Sequence, residues 1–203
     1  MANRAFTVAI AGATGAVGET MLRLLEERNF PIRRLKLLAS ERSTGKSLTF
    51  MGEEIKVERL GESSFQGIEI ALFSAGATRS QEFAPAAVKA GAVVIDNSSA
   101  FRMQSDVPLV IPEINPDAIA GYQACGIIAN PNCTTIVMLM PLKPLHDYGR
   151  VRRVIVSSYQ AVSGAGAKGI EELRRQTLAW ARGEPIEISA FPQQIAFNLI
   201  PHI

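Results

Sequence analysis

Asn130-Pro131-Asn132-Cys133-Thr134-Thr135 is the stretch of this chain whose residue types could do covalent chemistry. It follows the apolar run Ile127-Ile128-Ala129 and leads into another that extends to Met140. A buried strand is expected to end at the proline-stiffened turn, and a helix to begin at or just after Cys133. A thiol there lies near unpaired N–H groups and the positive end of the helix dipole, which favour thiolate and so a usable nucleophile. The other reading of a free cysteine is a small buried hydrophobe, and spacing alone leaves both open. Arg102, ending Asn97-Ser98-Ser99-Ala100-Phe101-Arg102, is a second candidate. It is either a surface charge or an anion clamp, and a place just beyond a buried strand favours the clamp.

Two glycine-rich or polar turns upstream suit a nucleotide. Phe6 to Ala11 is a β-rich apolar run followed at once by Gly12-Ala13-Thr14-Gly15-Ala16-Val17-Gly18. Apolar residues then recur at Val17, Met21, Leu24 and Leu25, a helical spacing that Asn29-Phe30-Pro31 stops. Strand, glycine loop and helix occur in the order a dinucleotide site requires: glycines admit the pyrophosphate to the backbone, and the helix N-terminus favours its charge. The spacing is G-x-x-G-x-x-G rather than the commoner G-x-G-x-x-G, and a tight connection is the alternative. Arg34 to Ala39 reads as the second strand. An NAD-specific site carries an acid at its end, but here Ser40-Glu41-Arg42-Ser43-Thr44-Gly45-Lys46 follows. Two hydroxyls and two cations suit a 2′-phosphate, and Arg42 can grip it bidentately, so NADP is expected, with Glu41 as the complication.

The elements that must position these residues alternate. A peripheral hairpin is expected at 48–58, strands at 68–73 and 92–96, and a helix at 78–90 between them. Residues 109–115 form an edge strand or strap, and a short helix begins near Asn115-Pro116, where Asn can cap and Pro suits the first turn. Pro141 and Pro144 are expected to bend or end the helix after Cys133, leaving His146 near its end. This is an α/β pattern: a Rossmann-like, mostly parallel sheet with helices on both faces, binding ligands at its carboxyl edge. From Val151 the texture changes. Val154 to Val162 alternates like a strand of a second sheet, and a charged helix runs from Lys168 to Arg182. Residues 1–134 are therefore expected to form the nucleotide domain, and 135–203 the start of a second, α+β catalytic and dimerisation domain. That second part looks too small to cover its own sheet, so a chain cut short is expected.

Composition excludes several classes. Of 203 residues, 47% are hydrophobic and 20% charged, ordinary for a soluble protein with a core. The 21 basic and 19 acidic residues are spread along the chain, with no footprint for nucleic acid. No apolar run approaches the roughly 20 residues of a membrane span, and Met1-Ala2-Asn3-Arg4 carries no signal-peptide core. Cys125 and Cys133 form neither a disulfide framework nor a zinc spacing, so a reducing cytoplasm is expected and no metal.

In order along the chain, Gly12 to Gly18, Ala39 to Ser43, Asn97 to Arg102, Asn130 to Thr135 and Ser158-Tyr159-Gln160-Ala161-Val162-Ser163-Gly164-Ala165-Gly166 resemble the bacterial-type aspartate-semialdehyde dehydrogenase family. The resemblance runs from Phe6 to the end. It implies NADPH-dependent reduction of aspartyl β-phosphate to aspartate β-semialdehyde and phosphate through a cysteine acyl-thioester, feeding lysine, threonine, methionine and diaminopimelate synthesis. It implies Cys133 as nucleophile, Asn132 beside the thiol, Gln160 on the substrate acyl group and Arg102 on the departing phosphate. For NADP it implies Gly12, Thr14, Gly15, Ala16, Val17, Arg42 and Ser43, with Ser163 and Gly164 closing near the nicotinamide. It also implies a homodimer or homotetramer through the second domain. The family's acid–base histidine and carboxylate-binding arginine lie further along than this sequence reaches, and His202 takes neither role. General acid–base help is worth about 10²–10⁴-fold, so this chain is expected to bind NADP yet turn over slowly or not at all. The alternatives are N-acetyl-glutamyl-phosphate reductase, which shares layout and thioester chemistry, and a non-catalytic NADP-binding fragment. Glyceraldehyde-3-phosphate dehydrogenase resembles the Cys-Thr-Thr region but has a different nucleotide loop.

Overall fold

The computed structural model describes residues 4–201. Two compact units divide the chain, one ending at Ile155 and the other beginning at Val156.

The first unit is built on seven strands: β1 (Phe6–Ala11), β2 (Ile32–Ala39), β3 (Ser47–Phe50), β4 (Glu53–Arg59), β5 (Ile70–Phe73), β6 (Val93–Asp96) and β7 (Ile127–Ala129). They form one sheet in the order β3-β4-β2-β1-β5-β6-β7, with only the β3–β4 pair antiparallel. The expected hairpin is thus fused to the edge, because β4 pairs in parallel with β2. Side chains of a strand alternate between faces. Along β1, Ala9 and Ala11 join the apolar cluster containing Phe83, Ala84 and Ala87 of α2 (Ala77–Lys89). Ile10 joins the opposite cluster with Leu22 of α1 (Ala16–Glu27). Helices therefore cover both faces, and central β1 is buried on both, as its continuous apolar run demands. In α1 the covered face is Gly18 and Leu22 with Met21 and Leu25 beside them, while Val17, expected on that face, is exposed.

Local chemistry explains several departures from the sequence pattern. Asn115 does not cap the 3₁₀ helix Pro116–Ala124; its side chain accepts from Ile111 N and donates to Leu109 O. That bracing holds residues 109–115 as a strap, joined to β7 by one bridge between Leu109 and Ala129. The helix α3 (Cys133–Gly149) runs through both Pro141 and Pro144. Each proline removes the N–H that would bond the carbonyl four residues earlier, at Val137 and Met140. Both of those residues are exposed, so water can take the freed carbonyls.

In the second unit, α4 (Gly166–Arg182) ends at Gly183 in the left-handed region. The strand expected over Val154 to Val162 is not formed. Alternation specifies a strand only when another backbone accepts its ladder, and Ile155, Val156 and Tyr159 are exposed with no strand paired to them among the described residues. Order here comes from α4. The Glu172 carboxyl, buried in the helix face, accepts from Ser189 N, Ser189 Oγ and Ala190 N. Gln176 donates to Glu187 O and accepts from Ile195 N and Ala196 N, so two side chains one turn apart clip residues 187–196 to the helix.

Candidate active site

Because β1, β2, β5, β6 and β7 run in parallel, the turns after them share one edge of the sheet. A row of backbone bonds stitches those turns together: Gly12 N to Leu38 O, Ser74 N to Ala11 O, Asn97 N to Phe73 O and Asn130 N to Asp96 O. The glycine loop, the Ser40–Thr44 turn, the Asn97–Arg102 loop and the Asn130–Cys133 turn all lie along this edge.

At the β1 end, three glycines have different reasons to be there. Gly12 has φ +90°, and a Cβ on it would lie 2.5 Å from Ser74 O and 2.7 Å from Ser74 C. A Cβ on Gly18 would collide with Gly12 O. Both are required by the protein's own backbone. Gly15 is not: its φ is −88°, and its nearest neighbour would be Gly12 O at 3.4 Å. As N-cap of α1 it brings no side chain to bond the first-turn N–H groups of Ala16, Val17 and Gly18. An open N-terminus with a bare approach is what a pyrophosphate needs, so these residues fit a dinucleotide. Thr14 Oγ1 donates to Ser43 Oγ at 3.1 Å, bringing two residues expected at the cofactor together across β1 and β2. Arg42 is exposed and forms no ion pair among the described residues, whereas Glu41 lies 3.2 Å from Arg59.

At the other end stands Cys133, the first residue of α3, and it is exposed. The buried-hydrophobe reading therefore does not hold. Asn132 is the N-cap: its Oδ1 accepts from Thr134 N at 2.9 Å and lies 4.0 Å from the Cys133 sulfur. Thr134 Oγ1 lies at 4.0 Å from the same sulfur. Arg102 is half-buried and oriented, not a free surface charge. Its Nε donates to Asn130 O at 2.8 Å and its Nη2 to Asn97 O at 3.1 Å. A guanidinium has five N–H donors, so three remain for an anion. The carbonyl it holds belongs to the turn that delivers Cys133.

Sequence reasoning missed the support beneath this arrangement. Asp96, ending β6 and fully buried, accepts 2.7 Å bonds from Ser80 Oγ of α2 and from Ser98 Oγ. Ser98 Oγ in turn accepts from Ala100 N, fixing the loop that carries Arg102. The signal was an acid closing the apolar run Val93-Val94-Ile95, where a charge can be buried only with partners. Asn97 and Asn130 were missed as well; they bond each other at 3.4 Å and lend their carbonyls to Arg102.

The second unit holds the remaining candidates. Gln160 is exposed in the irregular segment before the 3₁₀ turn Val162–Ala165, which contains Ser163 and Gly164, also exposed. His202 lies outside the described residues. Among the described residues no group of three His, Cys, Asp or Glu side chains could hold a metal, and no helix is long and apolar enough to cross a membrane.

Comparison with known proteins then decides the family. Residues 7–122 match the model described as semialdehyde dehydrogenase, NAD binding domain, and residues 142–203 the one described as semialdehyde dehydrogenase, dimerisation domain. The chain belongs to the semialdehyde dehydrogenase family. A relative from Aquifex aeolicus (strain VF5), named aspartate-semialdehyde dehydrogenase, is 59% identical over 98% of this chain and 59% of its own length. A crystal structure of aspartate semialdehyde dehydrogenase II from Vibrio cholerae, complexed with ASA, is 54% identical, with a TM-score of 0.95 over 98% of this chain and 60% of that one. The Candida albicans aspartate semialdehyde dehydrogenase with NADP is 28% identical, with a TM-score of 0.60 over 72% of this chain and 48% of that one. The chain thus spans about three-fifths of the length of the curated relatives it matches. The glycine loop, the Ser40–Thr44 turn and the Asn97–Arg102 loop lie within the range matched by the NAD binding domain, and the Asn130–Cys133 turn lies between the two matched ranges.

Proposed function

We propose that this chain carries the nucleotide site and the nucleophile of an NADP-dependent aspartate-semialdehyde dehydrogenase, with residues 1–134 binding nucleotide and 135–203 beginning the catalytic and dimerisation domain. The observation that carries this reading is the bond from Arg102 to the carbonyl of Asn130, which ties an anion-binding group to the turn bearing an exposed cysteine at a helix start. The relatives reported above carry the aspartate name, which favours this reading over the N-acetyl-glutamyl enzyme.

The Cys133 thiolate attacks the acyl carbon of aspartyl β-phosphate. The S–C bond forms and the C–O bond to phosphorus breaks, and phosphate departs with the electron pair. The three spare N–H donors of Arg102 stabilise that leaving group by charge-assisted hydrogen bonds. Asn132, fixed by its bond to Thr134 N, holds the helix start so that first-turn N–H groups of α3 face charge developing on the carbonyl oxygen. When bound, NADPH supplies the hydride that reduces the thioester carbonyl. Gly12, Thr14, Gly15, Ala16, Val17, Arg42 and Ser43 hold that cofactor. Gln160 on the acyl group, and Ser163 with Gly164 near the nicotinamide, are assigned on the resemblance. Collapse of the reduced carbon expels the Cys133 thiolate and releases the semialdehyde. A free, exposed nucleophilic thiol suits a reducing cytoplasm, and the match to a dimerisation domain supports a homo-oligomer.

The test is covalent. Intact-mass measurement of the chain mixed with aspartyl β-phosphate should show an acyl adduct that maps to Cys133 and vanishes in Cys133→Ser. Arg102→Ala should slow its formation by about tenfold or more, since a hydrogen bond to a charged group contributes about 1.5–3 kcal/mol. An adduct persisting in Cys133→Ser removes the cysteine from the mechanism.

A further inference from the structure

We propose that the Glu41–Arg59 ion pair biases the nucleotide preference of this chain toward NADP, by holding a carboxylate away from the 2′ position of the adenine ribose. The proposal rests on the NADP reading above.

The argument begins with strand order. β2 lies between β1 and β4, and its last residue, Ala39, stands in register with Arg59, the last residue of β4. The 3₁₀ turn Glu41–Ser43 that follows β2 therefore has two flanks. On the β1 flank, Ser43 Oγ accepts from Thr14 Oγ1 of the glycine loop. On the β4 flank, the Glu41 carboxylate lies 3.2 Å from Arg59 Nη1. The Ser43 hydroxyl faces the glycine loop while the acid is drawn to the other side.

Position makes that division consequential. In sheets of this type an acid near the end of this strand accepts from the ribose hydroxyls and so selects NAD. Glu41 is two residues past β2, close enough in sequence to take that role. Swung to the Ser43 flank, it would accept from a 2′-hydroxyl and repel a 2′-phosphate. Arg59 gives it a partner elsewhere and leaves Arg42 and Ser43 to meet the phosphate. Both members are largely exposed, so the pair biases orientation by a factor of a few and not by orders of magnitude.

The experiment is a fluorescence titration of the 203-residue chain with NADPH and with NADH. Arg59→Ala should lower the ratio of the NADH Kd to the NADPH Kd by roughly three- to fivefold, through weaker NADPH binding. Glu41→Gln added to Arg59→Ala should restore the ratio, because a neutral amide does not repel the phosphate. Arg59→Lys should keep it. A purely structural role for Arg59 would weaken both nucleotides alike and would not be rescued at position 41. An unchanged ratio in Arg59→Ala, or a fall that Glu41→Gln fails to reverse, overturns the proposal while leaving the cofactor reading intact. An unmodified chain that binds neither nucleotide, or binds NADH as tightly as NADPH, overturns both.

Discussion

Replacing Asp96 by alanine should detach the end of β6 from both of its supports. The carboxyl is fully buried, as is Ser80, and each of its oxygens accepts one serine hydroxyl at 2.7 Å. Alanine removes both acceptors at once. It leaves the Ser80 hydroxyl buried without a partner and frees Ser98, which also receives Ala100 N. An orphaned buried hydroxyl costs about 1–3 kcal/mol, so the two together should cost about 3–5 kcal/mol once partial rearrangement of Ser98 is allowed. Asp96→Asn keeps one acceptor and should lose about 1–2 kcal/mol. The diagnostic variant is the double mutant Ser80→Ala with Asp96→Ala. It removes the orphan together with its lost partner, and so should be more stable than Asp96→Ala alone. Urea titration followed by circular dichroism measures all three. A loss below about 1 kcal/mol for Asp96→Ala, or a double mutant less stable than the single one, would refute this reasoning. Because Ser98 steadies the loop bearing Arg102, the alanine variant should also form the Cys133 acyl adduct more slowly.

The two loop glycines should separate stability from binding. Gly12→Ala places a Cβ 2.5 Å from Ser74 O at φ +90°, and should cost about 2 kcal/mol or more in thermal unfolding experiments. Gly15→Ala meets nothing closer than 3.4 Å, so it should unfold like the parent yet bind NADPH about tenfold more weakly, a change of about 1.4 kcal/mol. Equal losses of stability in both variants would count against the division of roles. Glu172 should make the second unit acid-sensitive. Burial raises its pKa, but N–H donors from Ser189, Ala190 and Phe191 and the Ser189 hydroxyl outweigh that and hold it below the ordinary 4.5. A folded-state pKa below the unfolded one stabilises the protein above about 4.5, and that contribution is lost as pH falls through the folded value. Urea midpoints measured on either side of that range should fall with acid in the parent chain, and the fall should be shallower in Glu172→Gln.

What could be read along the chain was what neighbouring residues decide among themselves. Apolar runs closed by turns marked β1, β5 and β6, because a strand buried on both faces needs a continuous apolar run wherever it sits in the sheet. The glycine loop and the helix start at Cys133 were legible for the same reason, since Gly15 leaves bare, and Asn132 caps, N–H groups of the very next turn. Local pattern also misled where the outcome depends on a partner. Val154 to Val162 alternates like a strand, but alternation supplies no hydrogen-bond acceptor, and no strand forms. Pro141 and Pro144 are expected to bend or end the helix, and α3 ends at neither, since the residues four positions before them are exposed and water can take the freed carbonyls.

The sequence by itself determined which chemistry is available: a thiol at a helix start, an arginine beyond a strand, hydroxyls and cations after β2. Tertiary structure alone decided how those groups are aimed. Arg102 holds the carbonyl of Asn130, 28 residues on, because β6 and β7 are neighbours. Asp96 can be buried because α2 returns Ser80 to the end of β6. Glu41 meets Arg59, and not the glycine loop, because β4 lies on the far side of β2 from β1. Each of these contacts joins residues whose separation is set by strand order, and strand order emerges only when the whole sheet packs.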